Sequence, residues 1–440
     1  MKRHEIRPLS ADMDFTDLAL TGFGGGSLLA RTAQELGLFD LLSGAVSVKV
    51  RRRGASDAEM LWAIVASLAR GHGALSDLDA LRRDEVACAL LGLGSAPDSR
   101  RAGEWLARLG RSEVRALWGV ARELARRVAP PVVAHEVATR GYVPVFVDGT
   151  GIEVDGSLFQ WSRPLYDGSR GYWLHGAFVG GLWASGRLCP GGGWVTLGWH
   201  GQLERDVAPL LPAGTPVWVR ADNAYYKGEF VRFCAGRGWD FSVSVTHAQW
   251  KAPVLEQLEG LPDTAWTDIG MGEEAILATH RPRGWEGQSY VVVRRRAEHG
   301  QLLLVPRHTV ILVSRGDLPL EELVRRHRGK QGQENAFKGP LRDMDLHHPP
   351  CRSYRANQAF YALGQIAQML LRAVQFTKLP RSARRHGIRP VIRHVMCAVA
   401  RLVHSARQWR LDFARTNFRL DWLYAAAVRL PARGPPPAAA

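Results

Sequence analysis

The sequence predicts a multidomain α/β protein, helical in its N-terminal third and basic and helical near its C-terminus. Three observations carry this. A chain of 440 residues is long enough for roughly two to four domains. Apolar residues recur at helical spacing up to about residue 135, and from Tyr142 they give way to β-branched, Gly-punctuated runs. The stretch TPVWVRADNAYYKGEFVRFCAGRGWDFSVSV then reads strand, helix, strand, an alternation that implies parallel strands.

The elements follow in order. Ser56 with Glu59 forms a capping-box pattern ahead of the apolar run 60–68. Ser112 precedes a helix with Val114, Leu117, Trp118, Ala121, Leu124 and Val128 on one side and Arg115, Arg122, Arg126 and Arg127 on the other. Pro130-Pro131 is expected to end it and to mark a boundary near residue 135, closing a helical domain 1–135. YVPVFVDGTGIEVDG reads as a buried strand and turn, and residues 172–200 as further strands between Gly-rich turns. Strand-like runs such as QSYVVVRRR and HTVILVS fill a β-rich segment 250–312. Helix returns at Leu318 and continues past Phe376. A basic helical region is expected over 379–430, and the low-complexity end PARGPPPAAA is expected to be disordered over 431–440.

Charge narrows the partners. Lys and Arg total 58 against 42 Asp and Glu, a net of +16 with an isoelectric point near 10.2. Nearly all the cations are Arg, whose planar fork suits phosphate, so a nucleic-acid partner is favoured. A GC-rich genome would enrich Arg as well. The five cysteines include no CxxC pair, which speaks against a zinc site or a disulfide framework and for a reducing cytoplasm. No signal peptide and no run of about 18 apolar residues is present, so no membrane association is expected.

Three acids stand out. Asp148 follows the apolar run 143–147, and Asp222 follows the run 217–221. Sites in open α/β sheets gather at the carboxyl ends of strands, although an Asp there is also a common turn residue. The third acid is Glu334. If LPLEELVRRHRGKQGQENAFKGPLRDM is one helix, His327, Lys330, Glu334, Lys338 and Leu341 share a stripe. A solvated Lys-Glu-Lys face would explain the stripe too, but Gly329 and Gly332 each cost a helix about 1 kcal/mol relative to Ala. Arg325, Arg326, Arg328 and Arg342 bring more positive charge than one carboxylate needs. Three convergent carboxylates suit a pair of Mg²⁺ ions, and two metals about 3.5–4 Å apart serve in-line phosphoryl displacement.

The segments VFVDGTGIEVDG, VRADNAYYKGEFVRFC and HRGKQGQENAFKGPLRDMDLHHPPCRSYRANQAFYALGQIAQML resemble the signatures of bacterial insertion-sequence DDE transposases, above all the thirteen-eighty family. The Glu-Asn-x-x-Lys run with the Arg-x-Asn-Gln helix is the most specific part. The resemblance implies a ribonuclease H-like core over 136–249 and 313–378, interrupted by the β-rich insertion 250–312. Asp148 would lie on the core's first strand, Asp222 on its fourth and Glu334 on a later helix. These three would be catalytic and metal-binding, with two Mg²⁺ ions (Mn²⁺ substituting), and His327, Arg328, Lys330, Lys338 and Arg342 would contact DNA. Related groups carry Tyr and Arg where this chain has His327 and Lys330, a departure that still leaves donors for phosphate. Partners would be double-stranded DNA, as terminal inverted repeats and target, with a dimer in the complex.

Other readings remain at this point. A metal-dependent nuclease without strand transfer and a transposase-derived DNA-binding protein share most of these features. Candidate helices 84–91 and 99–109, with Arg100, Arg101 and Arg108, offer a helix-turn-helix or a plain bundle. Should Asp148 fail as a ligand, Glu153 and Asp155 are the nearest replacements. Among Trp250, Trp266 and Trp285 of the insertion, one is expected to stack on a displaced base, and the others to sit in a core.

Overall fold

The computed structural model describes residues 19–49, 54–193, 196, 198–298, 301–329, 337, 339–405 and 407–429. Its N-terminal part is helical, as expected. Helix α1 (Asp57–Ala69) opens on the capping box: Ser56 Oγ accepts from Glu59 N at 3.2 Å and Glu59 Oε2 from Ser56 N at 2.6 Å. Every residue from Met60 to Ala69 is buried, so α1 is a central helix, apolar all round. Short helices Glu85–Leu90 and Ser99–Leu106 follow, with Arg100, Arg101 and Arg108 exposed.

Helix α2 (Arg111–Arg140) corrects one expectation, because it runs straight through Pro130 and Pro131. Each interior proline costs roughly 3 kcal/mol. Leu124, Val128, Val132 and Val133 are all buried along the same helix, and each contributes roughly 1.5–3 kcal/mol. The carbonyls that lose their helical donors belong to Arg126 and Arg127, both exposed, so solvent rather than the core lies on that side of the helix. Packing wins. The helix stops only at Gly141, whose φ of 78° makes it a left-handed cap.

A mixed sheet dominates the remainder, with ten strands among the described residues. Its strands are β1 (Val143–Glu153), β2 (Arg170–Val179), β3 (Leu182–Pro190), β4 (Val217–Ala221), β5 (Asp240–Val245), β6 (Thr267–Gly270), β7 (Glu273–His280), β8 (Gln288–Glu298) and β9 (Gln301–Val313). The tenth, Arg163–Pro164, pairs with the start of β2. Spatial order is β3-β2-β1-β4-β5-β9-β8-β7-β6. Strand β4 runs parallel to both β1 and β5, with helix α3 (Gly228–Gly236) as the crossover. The other pairings are antiparallel. The strands of the segment 250–312 therefore extend this sheet: Val310 pairs with Val245 and Val313 with Ser242.

Helix returns as α4 (Leu320–Arg328) and α5 (Tyr354–Thr377), and the described residues between them include the helical Phe337 and the turn Gly339–Asp343. Helix α5 packs on α1, α2 and β3. Its glutamines close the edge of β3. Gln368 Oε1 accepts from Trp183 N at 3.0 Å, and Gln365 Nε2 donates to the Trp183 and Ala184 carbonyls at 3.0 Å. A bare sheet edge is thereby covered. The polar pattern of the Arg-x-Asn-Gln helix thus has a structural use, and Asn357 adds to it by holding both backbone groups of Cys351.

The C-terminal region is not wholly helical as expected. Residues 400–413 form the hairpin β10 (Ala400–Ser405) and β11 (Gln408–Phe413), which pairs with Leu20–Thr21. The interleaving of Arg with apolar residues has a period of two there: Ala400 faces Phe413, and Leu402 faces Leu411. Arg407, at φ 60°, supplies the left-handed residue that a two-residue hairpin turn needs. A helix does close the region, over Leu420–Arg429. All five cysteines are free thiols, and no helix among the described residues is long and apolar enough to cross a membrane.

Candidate active site

Two parallel strands bring two carboxylates together. Val147 pairs with Ala221 in the β1–β4 ladder, the last pair of that register. The next residue on each strand is an aspartate, Asp148 and Asp222. Both are half-buried. Asp148 lies within β1 rather than at its end, because β2 continues to pair with β1 up to Glu153. Its Oδ1 accepts from Gly149 N at 2.8 Å. Asp222 caps the short turn Asn223–Tyr225, with Oδ1 accepting from Ala224 N at 3.0 Å.

Electrostatics tie the pair together. Burial pushes the Asp222 carboxyl above its ordinary range, against the Ala224 N–H and the charges of Arg220 and Lys227, which pull it down. The Tyr225 phenol is buried, and burial raises its pKa well above the usual value, with Asp148 and Asp222 adding to the shift. One ring therefore senses both carboxylates. Sequence reasoning does not single out Tyr225 or Lys227. Their only signal is proximity to Asp222 in the run ADNAYYKG.

Other acids fit less well. Glu153 and Asp155 are exposed, and Glu153 lies five residues beyond Asp148, roughly 16 Å away at about 3.3 Å per residue. Asp206 is buried but committed: Oδ1 pairs with Arg122 at 3.1 Å, while Oδ2 pairs with Arg187 at 3.2 Å and accepts from Ser185 at 2.7 Å. Among the described residues no three His, Cys, Asp or Glu side chains are grouped to hold a metal. Glu334, Lys330 and Lys338 lie outside the described residues. The oxygen donors of Asp148 and Asp222 do suit a hard divalent cation, and a buried carboxylate with a raised pKa gains most from one.

The remaining predicted DNA contacts divide. Helix α4 ends at Gly329, so the expected stripe is not continued by α4 itself. His327 is only 5% exposed, and its Nε2 lies 3.1 Å from Ser244 Oγ on β5. Arg328 is paired with Glu273, its Nη2 lying 3.1 Å from Oε1. His327 thus holds α4 to the sheet from a buried position, whereas Arg328 stays exposed beside Glu273. Arg342 is exposed. Of the insertion's tryptophans, Trp266 is buried beneath the Arg294 guanidinium, 4.1 Å from the ring centroid. Trp250 is 39% exposed, and it and Trp285 each lie 5.0 Å from the Tyr226 ring, four residues after Asp222.

Residues 202–434 match the family model described as transposase DDE domain, group 1. The chain belongs to the DDE transposase family. The match spans more than half of the chain and includes Asp222 and Glu334, while Asp148 lies upstream of it. Family membership puts this transposase in a class of DNA-cleaving enzymes that generally use divalent metals. No curated protein matches the chain.

Proposed function

We propose that this transposase cleaves and joins phosphodiester bonds at the ends of an insertion sequence, as a member of the thirteen-eighty group. Its ribonuclease H-like core would comprise 136–249 and 313–378. The observation that carries the reading is the parallel pairing of Val147 with Ala221, which sets Asp148 and Asp222 side by side. Glu334 completes the ligand set. Two Mg²⁺ ions, or Mn²⁺ in their place, would supply charge for the attacking and leaving oxygens. The chain's own residues do the rest. Asp148 and Asp222 present oxygens fixed by Gly149 N and Ala224 N, and Lys227, bonded to Thr196 at 2.7 Å, moderates the Asp222 charge. Arg328, Lys330, Lys338 and Arg342 dock phosphates, whereas His327 supports them by anchoring α4. The DNA partners are the terminal inverted repeats and target DNA, bound by a dimer.

The test is a two-part assay on DNA carrying the inverted repeats that flank the gene. Metal-dependent nicking at the repeat ends, followed by joining to a target plasmid, is the expected result. Nicking without joining makes the protein a nuclease, and binding without nicking makes it a DNA-binding derivative.

A further inference from the structure

The C-terminal hairpin of β10 and β11 has two unlike faces. Partners across an antiparallel pair share a face, and side chains alternate along each strand. Ala400, Phe413, Leu402 and Leu411 therefore lie on one face, with His404 and Trp409 at its tip. The base of that face is seated on the body of the protein. Ala400 is buried, and a Cβ on Gly24 would meet the Phe413 ring at 2.7 Å and the Ala400 Cβ at 2.9 Å. Gly24 N donates to Ala398 O and Leu402 N to Ala19 O, both at 2.9 Å, which fixes the root of the hairpin. The second face consequently points away from the body. It carries Val403 and Asp412 with the exposed Arg401, Ser405, Gln408 and Arg410.

Charge on and around this face is one-sided. Residues 393–419 include six arginines and a single acid, Asp412. Asp412 accepts from Arg410 Nε at 2.7 Å and Nη2 at 3.2 Å, and Arg401 Nη2 lies 3.6 Å away on the facing strand. One carboxylate thus stands between two guanidiniums, holding them side by side while cancelling only one charge. Arg407 adds a third cation at the turn, exposed and held at φ 60°. The same sign prevails in the segment leading into β10. Burial lowers the pKa of His394, and Arg393 and Arg419 lower it further.

Charges on an edge strand also keep it from pairing with other chains. Edge protection accounts for neither the left-handed arginine at the turn nor the aromatic pair beside it, since His404 and Trp409 stack at 4.5 Å and both stay exposed. The dimensions point to a ligand. Leu20–Thr21 pair only with Arg401 and Ala400, so from Val403 outward the ribbon is two strands wide among the described residues. Each strand has six residues, about 20 Å of ribbon at roughly 3.4 Å per residue. The major groove of B-DNA, about 12 Å wide, admits such a ribbon, whereas the minor groove, about 6 Å wide, is too narrow. Arg and Gln are side chains that donate to base edges in that groove and to the phosphates beside it.

We propose that the β10–β11 hairpin enters the major groove of duplex DNA, with Arg401, Arg407 and Arg410 on phosphates and Gln408 toward the base edges. The surface lies outside the strands that carry Asp148 and Asp222, and it rests on the DNA-cleaving reading only for its ligand. Its test needs no cleavage. Binding of a short fluorescent duplex of arbitrary sequence is measured in EDTA across a salt series. The full-length wild type is compared with Arg407→Asn, the triple variant Arg401→Gln/Arg407→Asn/Arg410→Gln, and Arg126→Gln on the exposed side of α2. Asn tolerates a positive φ and all three hairpin arginines are exposed, so melting midpoints should stay near that of wild type. Each phosphate that is no longer neutralised lowers the slope of log K against log salt by about 0.9. The expected reductions are about 0.9 for Arg407→Asn and about 2.7 for the triple variant, with none for Arg126→Gln.

A second duplex carries glucosylated hydroxymethylcytosine, whose sugars fill the major groove. Wild type should bind it about tenfold more weakly than the plain duplex, the loss of one good groove contact, and the triple variant should show a smaller penalty. An equal penalty in both proteins overturns the groove assignment. Unchanged slopes in the triple variant overturn the proposal, and so does an equal reduction in Arg126→Gln, because any surface cation would then serve. Sedimentation of the DNA-free proteins covers the other occupant. If the triple variant loses a dimer that wild type forms, while the slopes stay unchanged, the face joins two copies of the chain and the proposal fails. A wild type that gives the expected slopes yet never nicks DNA in Mg²⁺ sinks the catalytic reading instead, and leaves the hairpin in the groove.

Discussion

Val147 and Ala221 are paired in parallel, and each is followed by an aspartate. A parallel ladder keeps its partners level, so the two carboxylates leave the sheet at the same height on the same face. The arrangement is local to two strands, yet 74 residues of chain separate its members. The first prediction is that Asp148→Ala, Asp222→Ala and Glu334→Ala each reduce DNA cleavage at least about 100-fold. Binding should be kept, because phosphate contacts supply affinity. Gel assays of nicking and of complex formation, run on the same preparations, check this. Near-normal nicking by any one variant would remove that residue from the ligand set.

Asp222 also carries a pH signature. Its folded-state pKa is raised, chiefly by burial. Between the ordinary value near 3.9 and the raised one, the native state binds more protons than the unfolded state. Stability therefore falls as pH rises through this window. Asp222→Asn keeps an oxygen for Ala224 N and sheds the charge. The variant should melt higher than wild type at neutral pH in EDTA, and the gap should close below about pH 4. Adding Mg²⁺ should raise the wild-type midpoint and not that of the variant. A variant that melts lower than wild type at neutral pH would contradict the electrostatic account.

Asp206 offers a contrast, since it is a buried acid with no expected part in catalysis. It joins Arg122 of α2 to Ser185 and Arg187 of β3. Removing one partner of a buried pair costs about 3–5 kcal/mol, and the partly exposed arginines place Asp206→Asn near the lower end. Urea unfolding should show a lower midpoint, while nicking at low temperature persists. Loss of nicking with unchanged stability would make Asp206 part of the site.

These contrasts explain what the sequence reveals. Asp148 and Asp222 are legible because each follows a short, continuous apolar strand, a signal held within a few residues. The Ser56–Glu59 cap and the β4–α3–β5 unit are legible for the same reason. Pro130 and Pro131 mislead, because the valines that carry α2 past them gain their energy from distant partners. The strands of 250–312 are expected from their composition, but their union with the main sheet depends on Val310 meeting Val245. His327 reads as free for DNA. Its burial is set by Ser244, 83 positions away, which no helical stripe can foretell. The C-terminal hairpin escapes sequence reasoning because Arg alternating with apolar residues suits either period until Leu20–Thr21 provides an edge.

The insertion's tryptophans give the last prediction. Base stacking on an aromatic ring is worth about 1–3 kcal/mol, but only an accessible ring can stack. Trp266 is 9% exposed and covered by Arg294, itself bonded to Glu274 at 2.6 Å. It belongs to the core of the extended sheet. Trp250 is 39% exposed and sits against Tyr226, which follows Asp222 by four residues and is fixed by a 2.8 Å bond to the Tyr290 hydroxyl. Trp285 flanks the same Tyr226 ring. A fluorescent base analogue placed at successive terminal positions of the repeat should brighten at one position when wild-type protein binds. Trp250→Ala should remove the brightening without lowering the melting midpoint, whereas Trp266→Ala should keep it and melt lower. If Trp250→Ala and Trp285→Ala both brighten the analogue as fully as wild type, or if no position brightens at all, the aromatic cluster beside Asp222 only ties the sheet extension to the core.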